Sequence, residues 1–306
     1  MANKLKGNAI LLLTAIIWGT SFVAQSEGMK YIEPFTYNAL RTIIGGIVLV
    51  PVIAGFKIFD RKTCKEDKYS FRVSLIGGMV CGSVLCVASS LQQFGIVYTT
   101  AGKSGFITAI YVVIVPFIQL IFGRKPRAIV WFCVVAAVFG FYLLCIKDGF
   151  TVGIGDLLTL LCAFGFAVHI IVIDRFLERG ANGLHMACIQ FFTAGLIMLI
   201  GMFVFESPRL DAIFEAKYTI LYAGVMSCGV AYTLQIIGQR FAEPTIATLI
   251  MSLESVFAVL SGWIILGEVL TVREFFGCCL VFAAVIFSQI NLPTGKIKEK
   301  LKKKRG

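Results

Sequence analysis

Charge is what this chain has least of. Asp, Glu, Lys and Arg make up 15% of it, against roughly 25% in an ordinary soluble domain. Hydrophobic residues make up 58%, so neither a disordered chain nor a soluble globular fold is expected. Other absences narrow the chemistry. There are two histidines and no HExxH, which argues against a helix-borne zinc site. No GxxxxGK[ST] stretch occurs, so the chain carries no ATP-binding loop of its own. None of the ten cysteines sits in a CxxC pair, and all but Cys64 fall inside apolar runs, where cysteine serves as a small apolar residue. Lys103 and Ser104 are neighbours, but adjacent side chains on a helix point about 100° apart, a poor nucleophile–base geometry. No enzyme, resident metal or cofactor is expected.

What the chain has is long apolar runs. A spanning helix needs about 20 mainly apolar residues, and ten runs qualify: 8–26, 34–56, 72–94, 101–122, 128–146, 156–174, 184–205, 217–238, 244–266 and 274–291. The expected fold is an all-α integral membrane protein with ten transmembrane helices. The first run follows Lys4 and Lys6 like a secretory signal, but it is long for one and lacks a small-x-small cleavage site. It reads as a retained helix.

The net charge of +11 suggests nucleic acid until its placement is considered. With the N-terminus in the cytoplasm, twenty-one Lys and Arg fall on the inner side and five on the outer, while Arg41 and Lys103 lie within helices. That bias fits the positive-inside rule. It places both termini in the cytoplasm of a cell (cytoplasmic) membrane. The basic tail, residues 292–306, is expected to meet anionic headgroups, and nucleic acid is not expected as a partner.

The chain also repeats itself. GNAILLLTAIIWGTSFV from residue 7 resembles GDLLTLLCAFGFAVHII from residue 155; LQQFGIVYTTA from 91 resembles LQIIGQRFAEP from 234; VVAAVFG at 134–140 resembles VFAAVIF at 281–287. The offsets are 148, 143 and 147 residues, in the same order. Two five-helix halves are expected, 1–147 and 148–291. Because five is odd, the second enters the membrane from the opposite side. Such inverted repeats recur in secondary transporters, where they give two nearly equivalent conformations.

Polar residues within the runs mark a route. On a helical wheel of the fourth run, Thr100, Lys103, Ser104, Thr108, Tyr111 and Gln119 share an arc of about 160°. In the ninth, Thr245, Thr248, Met251, Ser252, Glu254 and Ser255 gather similarly. A helix facing lipid on all sides would not sort its polar groups; one bordering a wet cavity would. Glu254 corresponds to Tyr111 at the offset of 143. It is the acid deepest in any run. A bare charge at that depth costs roughly 2.5–3.5 kcal/mol, which protonation would relieve, so Glu254 is either the candidate proton-coupling or amine-binding group or a neutral glutamic acid hydrogen-bonded between helices. Gln92 and Gln93 end the third run, and Gln235 and Gln239 the eighth; amides can read a zwitterion or simply join helices. Trp18 lies mid-helix, where it suits a cavity wall or helix packing. Lys103, near the outer surface, either snorkels or guards a cavity mouth. Arg41 pairs with Glu27 or Glu33 or faces a cavity. His169 is expected to be packed and neutral. The substrate-path candidates are therefore Trp18, Gln92, Gln93, Lys103, Thr108, Tyr111, Gln235, Gln239, Ser252, Glu254 and Ser255.

Three stretches carry a family resemblance: AIIWGTSF in the first run, GKSGFITAIYVVIVPF in the fourth and SLESVFAVLSGWIILGEVLT in the ninth, with its Leu266-Gly267-Glu268 ending. They resemble the EamA-type branch of the drug/metabolite transporter superfamily over residues 8–291. The resemblance implies ten helices in two repeats around a cavity lined by the third, fourth, eighth and ninth. It also implies export of small metabolites, commonly amino acids or related solutes. Two departures stand out. Glu254 is followed by Ser255 where the family often has proline, which argues against a kink, and the first half ends Phe122-Gly123-Arg124 without the glutamate. The expected function is a secondary transporter of a small organic metabolite. A lipid-handling or flippase-type protein and a passive facilitator are the alternatives. Substrate, direction, coupling ion and oligomeric state are left open.

Overall fold

The computed structural model describes residues 2–63, 69–99, 101–124, 126–145, 153–266 and 271–288. The basic tail, Gly267 and Glu268 of the ninth run and the side chain of Lys103 lie outside the described residues. Among those described, every regular element is helical. In order they are α1 (Ala2–Gly28), α2 (Pro34–Thr63), α3 (Phe71–Tyr98), α4 (Ala101–Thr108), α5 (Tyr111–Ile121), α6 (Ala128–Cys145), α7 (Ile154–Glu178) and α8 (Gly183–Phe205). Then come the short α9 (Leu210–Glu215) and α10 (Lys217–Tyr222), a π-helical segment (Ala223–Tyr232), α11 (Thr233–Gln239), α12 (Pro244–Met251), α13 (Glu254–Leu266) and α14 (Val272–Ser288).

Eight described helical stretches are long and apolar enough to cross a membrane; in the fifth and tenth expected runs the described apolar helices are shorter, Ala128–Gly140 and Phe275–Ser288. The protein is a multi-pass helical membrane protein. Large apolar side chains such as Phe132, Phe203, Ile200 and Ile264 lie exposed along the helices, as a lipid-facing surface requires.

The principal pairings are α3 with α7 and α8, α2 with α8 and the π segment, α1 with α13 and α11, and α6 with α14. Small residues bring these helices together, because helix association in lipid depends on close packing. A Cβ at Gly45 would lie 3.2 Å from the Gly224 carbonyl oxygen, and one at Gly82 would lie 2.7 Å from Thr193 Cβ. Gly45 is thus packed against the π segment within the chain. Gly224 and Gly229 are five residues apart and face Ile44 and Val48, which are four apart on α2. The i→i+5 bonding of a π-helix brings residues five apart round to one side, so its glycines match the α-helical spacing opposite.

Several charges at helix ends are satisfied there. Glu206, just past α8, accepts bonds from Phe35 N, Thr36 N and Thr36 Oγ1 at 2.6, 2.7 and 2.7 Å, capping the first turn of α2 from another helix. Arg124, after α5, reaches Asp174 at 2.7 Å and Glu178 at 2.5 Å near the end of α7. Arg41 and Glu254 are buried and have no such ionic partner among the described residues.

Candidate functional site

The fourth and ninth runs are each interrupted by a tight turn, at residues 109–110 and 252–253. The first turn carries i→i+3 bonds from Ile110 N to Ile107 O (3.2 Å) and from Val112 N to Ala109 O (3.0 Å). The second carries them from Leu253 N to Ile250 O and from Ser255 N to Ser252 O, both 3.2 Å. A break without proline corrects the expectation of a straight ninth helix. Hydroxyls supply the cause. Thr248 Oγ1 donates to Thr245 O and Ser252 Oγ to Leu249 O, each at 2.8 Å, competing with the regular ladder and bending the helix.

The two turns lie 143 residues apart, and each is followed at once by a key side chain. Tyr111 is the first residue of α5 and Glu254 the first of α13. Tyr111 Oη donates to Glu254 Oε1 at 3.0 Å in a fully buried contact. Both line a crevice of about 450 Å³, a figure that counts the gaps between side chains and the opening to the outside. Much of that space is crevice between side chains, with room for little more than water, so an organic guest requires the walls to part.

Of the residues singled out by sequence, Trp18, Gln92, Thr108, Tyr111, Gln235 and Glu254 line this cavity together. Gln92 Nε2 donates to Thr108 Oγ1 at 3.2 Å, and Trp18 meets Tyr232 edge-on with centroids 4.7 Å apart. Gln93, Gln239, Ser252 and Ser255 are buried outside it. Gln239 Nε2 donates to Ile170 O at 3.4 Å and Ser255 Oγ to Gly105 O at 2.9 Å, so both join helices. Ser252 bonds back to its own helix. His169 is buried with Nε2 3.1 Å from Gln190 Oε1, a packed residue outside the lining.

The structure adds Phe22, Gln25, Phe166, Ile170, Ser227 and Tyr232 to the wall, and places there Arg41, for which the sequence offered either a carboxylate partner or a cavity. Trp18, Phe22 and Gln25 follow the i, i+4, i+7 spacing of one helix face, a signal legible in the sequence. Ser227 and Tyr232 share a face only because the segment between them is π-helical, which the sequence does not announce. Eight lining residues fall into four pairs: Trp18 and Phe166, Phe22 and Ile170 at an offset of 148; Gln92 and Gln235, Tyr111 and Glu254 at an offset of 143.

A family model described as the EamA-like transporter family matches residues 5–146 and again 153–289. The chain belongs to the EamA-like transporter family. Among its relatives is an uncharacterized transporter of Archaeoglobus fulgidus, 30% identical over 295 residues, covering 95% of this chain and 88% of the relative. The uncharacterized transporter YoaV of Bacillus subtilis is 19% identical over 295 residues, covering 94% and 98%. A solved crystal structure superposes with a TM-score of 0.76 at 15% identity, covering 93% of this chain and 96% of the other; that likeness concerns the fold. Membership of this family makes the chain a membrane transporter. Its cavity, lined from both family-matched stretches, is the candidate site.

Proposed function

We propose that this EamA-like protein is a secondary transporter that moves a small organic solute by alternating access, with Glu254 as its proton-coupling or amine-binding group. The observation that carries the reading is the Tyr111–Glu254 contact. Two residues at equivalent positions of related halves touch only if both lie near the axis relating those halves. Here each also starts a half-helix at a wall of the cavity. Discontinuous helices meeting at a central site are a recurring transporter device.

The pairings support the same symmetry. Exchanging the halves carries α1 with α13 onto α7 with α5, and α2 with the π segment onto α8 with α3; α2 with α8 and α6 with α14 map onto themselves. The two family matches, 5–146 and 153–289, support a division near 147–148. The arrangement we infer is two inverted five-helix repeats, ten spans in all, with both termini cytoplasmic as the Lys and Arg bias favours. Outward movement is the direction the family resemblance favours.

A cavity with one acid, one arginine, amides and aromatics suits a zwitterionic or amphiphilic solute. The test is the thermal stability of the purified protein against amino acids, amines, sugars, nucleosides and lipids. A ligand at a hundred times its Kd adds about 2.7 kcal/mol, so one solute class is expected to raise Tm by several degrees, and Tyr111→Phe to reduce the rise. Stabilisation by lipids alone would replace this reading with a lipid-handling one.

A further inference from the structure

Eight of the thirteen lining residues form repeat-related pairs, and Arg41 is one of the five that do not. At any offset from 143 to 148 its counterpart falls within residues 184–189, which contain neither lysine nor arginine. Arg41 lies on α2, is 5% exposed and lines the cavity. The carboxylates that the sequence offered as partners are engaged elsewhere. Glu27 bonds Lys30 at 2.6 Å, and Glu33 accepts from Ser207 N at 3.3 Å. Nearby Glu206 is occupied by the first turn of α2, and Glu254 accepts from Tyr111. The guanidinium instead sits over the Tyr37 ring, 5.6 Å from its centroid. Its Nε is buried with no hydrogen-bond partner among the described residues.

A guanidinium stays charged at any physiological pH. Burying it unpaired is costly, and the cost is relieved only when an anion arrives. Arginine's planar fork of donors matches a carboxylate with two parallel bonds. We propose that Arg41 is the anion-recognition residue of the cavity: the transported solute carries a carboxylate that Arg41 binds. This inference rests on the transporter reading and narrows its substrate class. It also explains how a pseudo-symmetric cavity orients its guest. The carboxylate end goes to Arg41, and the other end goes toward the Tyr111–Glu254 pair.

The test compares carboxylates with their carboxamides, using amino acids, lactate and other small monocarboxylates as probes in the thermal-stability assay on the full chain. Wild-type protein is expected to be stabilised by an acid and not by its amide. In Arg41→Gln that preference disappears, with roughly ten- to a hundredfold weaker binding of the acid, the usual effect of losing a charge-assisted bond. The unliganded Arg41→Gln protein is expected to be at least as stable as wild type, because an unpaired buried charge has gone. A purely structural arginine would show the reverse. If Arg41→Gln does not fold, the wild-type comparison and Arg41→Lys decide. Lys keeps the charge but loses the fork, so the acid preference persists at weaker affinity. An Arg41→Gln protein that still prefers the acid, or stabilisation of the wild type by uncharged solutes alone, overturns the role of Arg41 and leaves the transporter reading standing. A panel to which neither protein responds overturns both.

Discussion

Glu254→Gln abolishes solute accumulation driven by a pH gradient while solute-for-solute exchange continues. Glu254 opens α13 beside the cavity, buried, with Tyr111 Oη as its hydrogen-bond donor and no cation paired to it among the described residues. Glutamine fits the same space and still accepts from Tyr111, so binding and the conformational cycle survive. It cannot take up and release a proton. One pH unit corresponds to about 1.36 kcal/mol for each proton moved. A one-for-one coupled transporter therefore sustains up to about tenfold accumulation per unit of gradient, and Glu254→Gln is expected to bring that ratio to unity. Accumulation measured in proteoliposomes at set internal and external pH checks it. An unchanged pH-driven ratio in Glu254→Gln would remove proton coupling from this residue and leave amine binding as its role.

Gly19→Val destabilises the protein and stops transport, although residue 19 reaches no solute. Gly19 is where α1 crosses α13. A Cβ there would lie 2.8 Å from the Glu254 carbonyl oxygen and 2.8 Å from the Phe257 carbonyl carbon. These are backbone atoms, so no rotamer change can make room and the helices must separate. Overpacking of this kind costs about 1–3 kcal/mol. The displacement falls on the residue that starts α13 and on its neighbour Trp18, both in the cavity wall. Thermal unfolding in detergent is expected to show a lower Tm, and flux to fall further than the fraction unfolded explains. Wild-type flux in Gly19→Val would mean that the α1–α13 approach does not position Glu254. By contrast, Gly55, with nothing within 4 Å of its Cβ position, should accept alanine silently.

Composition and periodicity made the helical membrane class legible, because a lipid-spanning chain cannot disguise its apolar runs. The polar stripes singled out Glu254 and Tyr111 on two helices, and the structure brings these two side chains together at the cavity, since a charge at depth needs a wet or polar neighbour. What the sequence hid was local backbone and side-chain choice. Ser252 and Ser255 share the polar stripe of Glu254, yet their hydroxyls find backbone carbonyls and leave the cavity to the carboxyl. The break before Glu254 has no proline to advertise it. The π-helical segment that sets Ser227 and Tyr232 in the wall follows from packing of Gly224 and Gly229 on α2, a tertiary cause. Arg41 was legible as an intramembrane charge, but that no described carboxylate pairs with it depends on Glu27, Glu33 and Glu206 being engaged elsewhere in the fold.

The most direct measurement is counterflow in proteoliposomes of the purified protein, loaded with an unlabelled solute that raises its Tm and given a trace of the same solute labelled outside. Alternating access predicts transient accumulation of label above equilibrium that saturates with solute concentration, because a carrier with one alternately exposed site exchanges what it binds. Label that only equilibrates, with a rate rising linearly with concentration, would contradict alternating access and point to a passive pore.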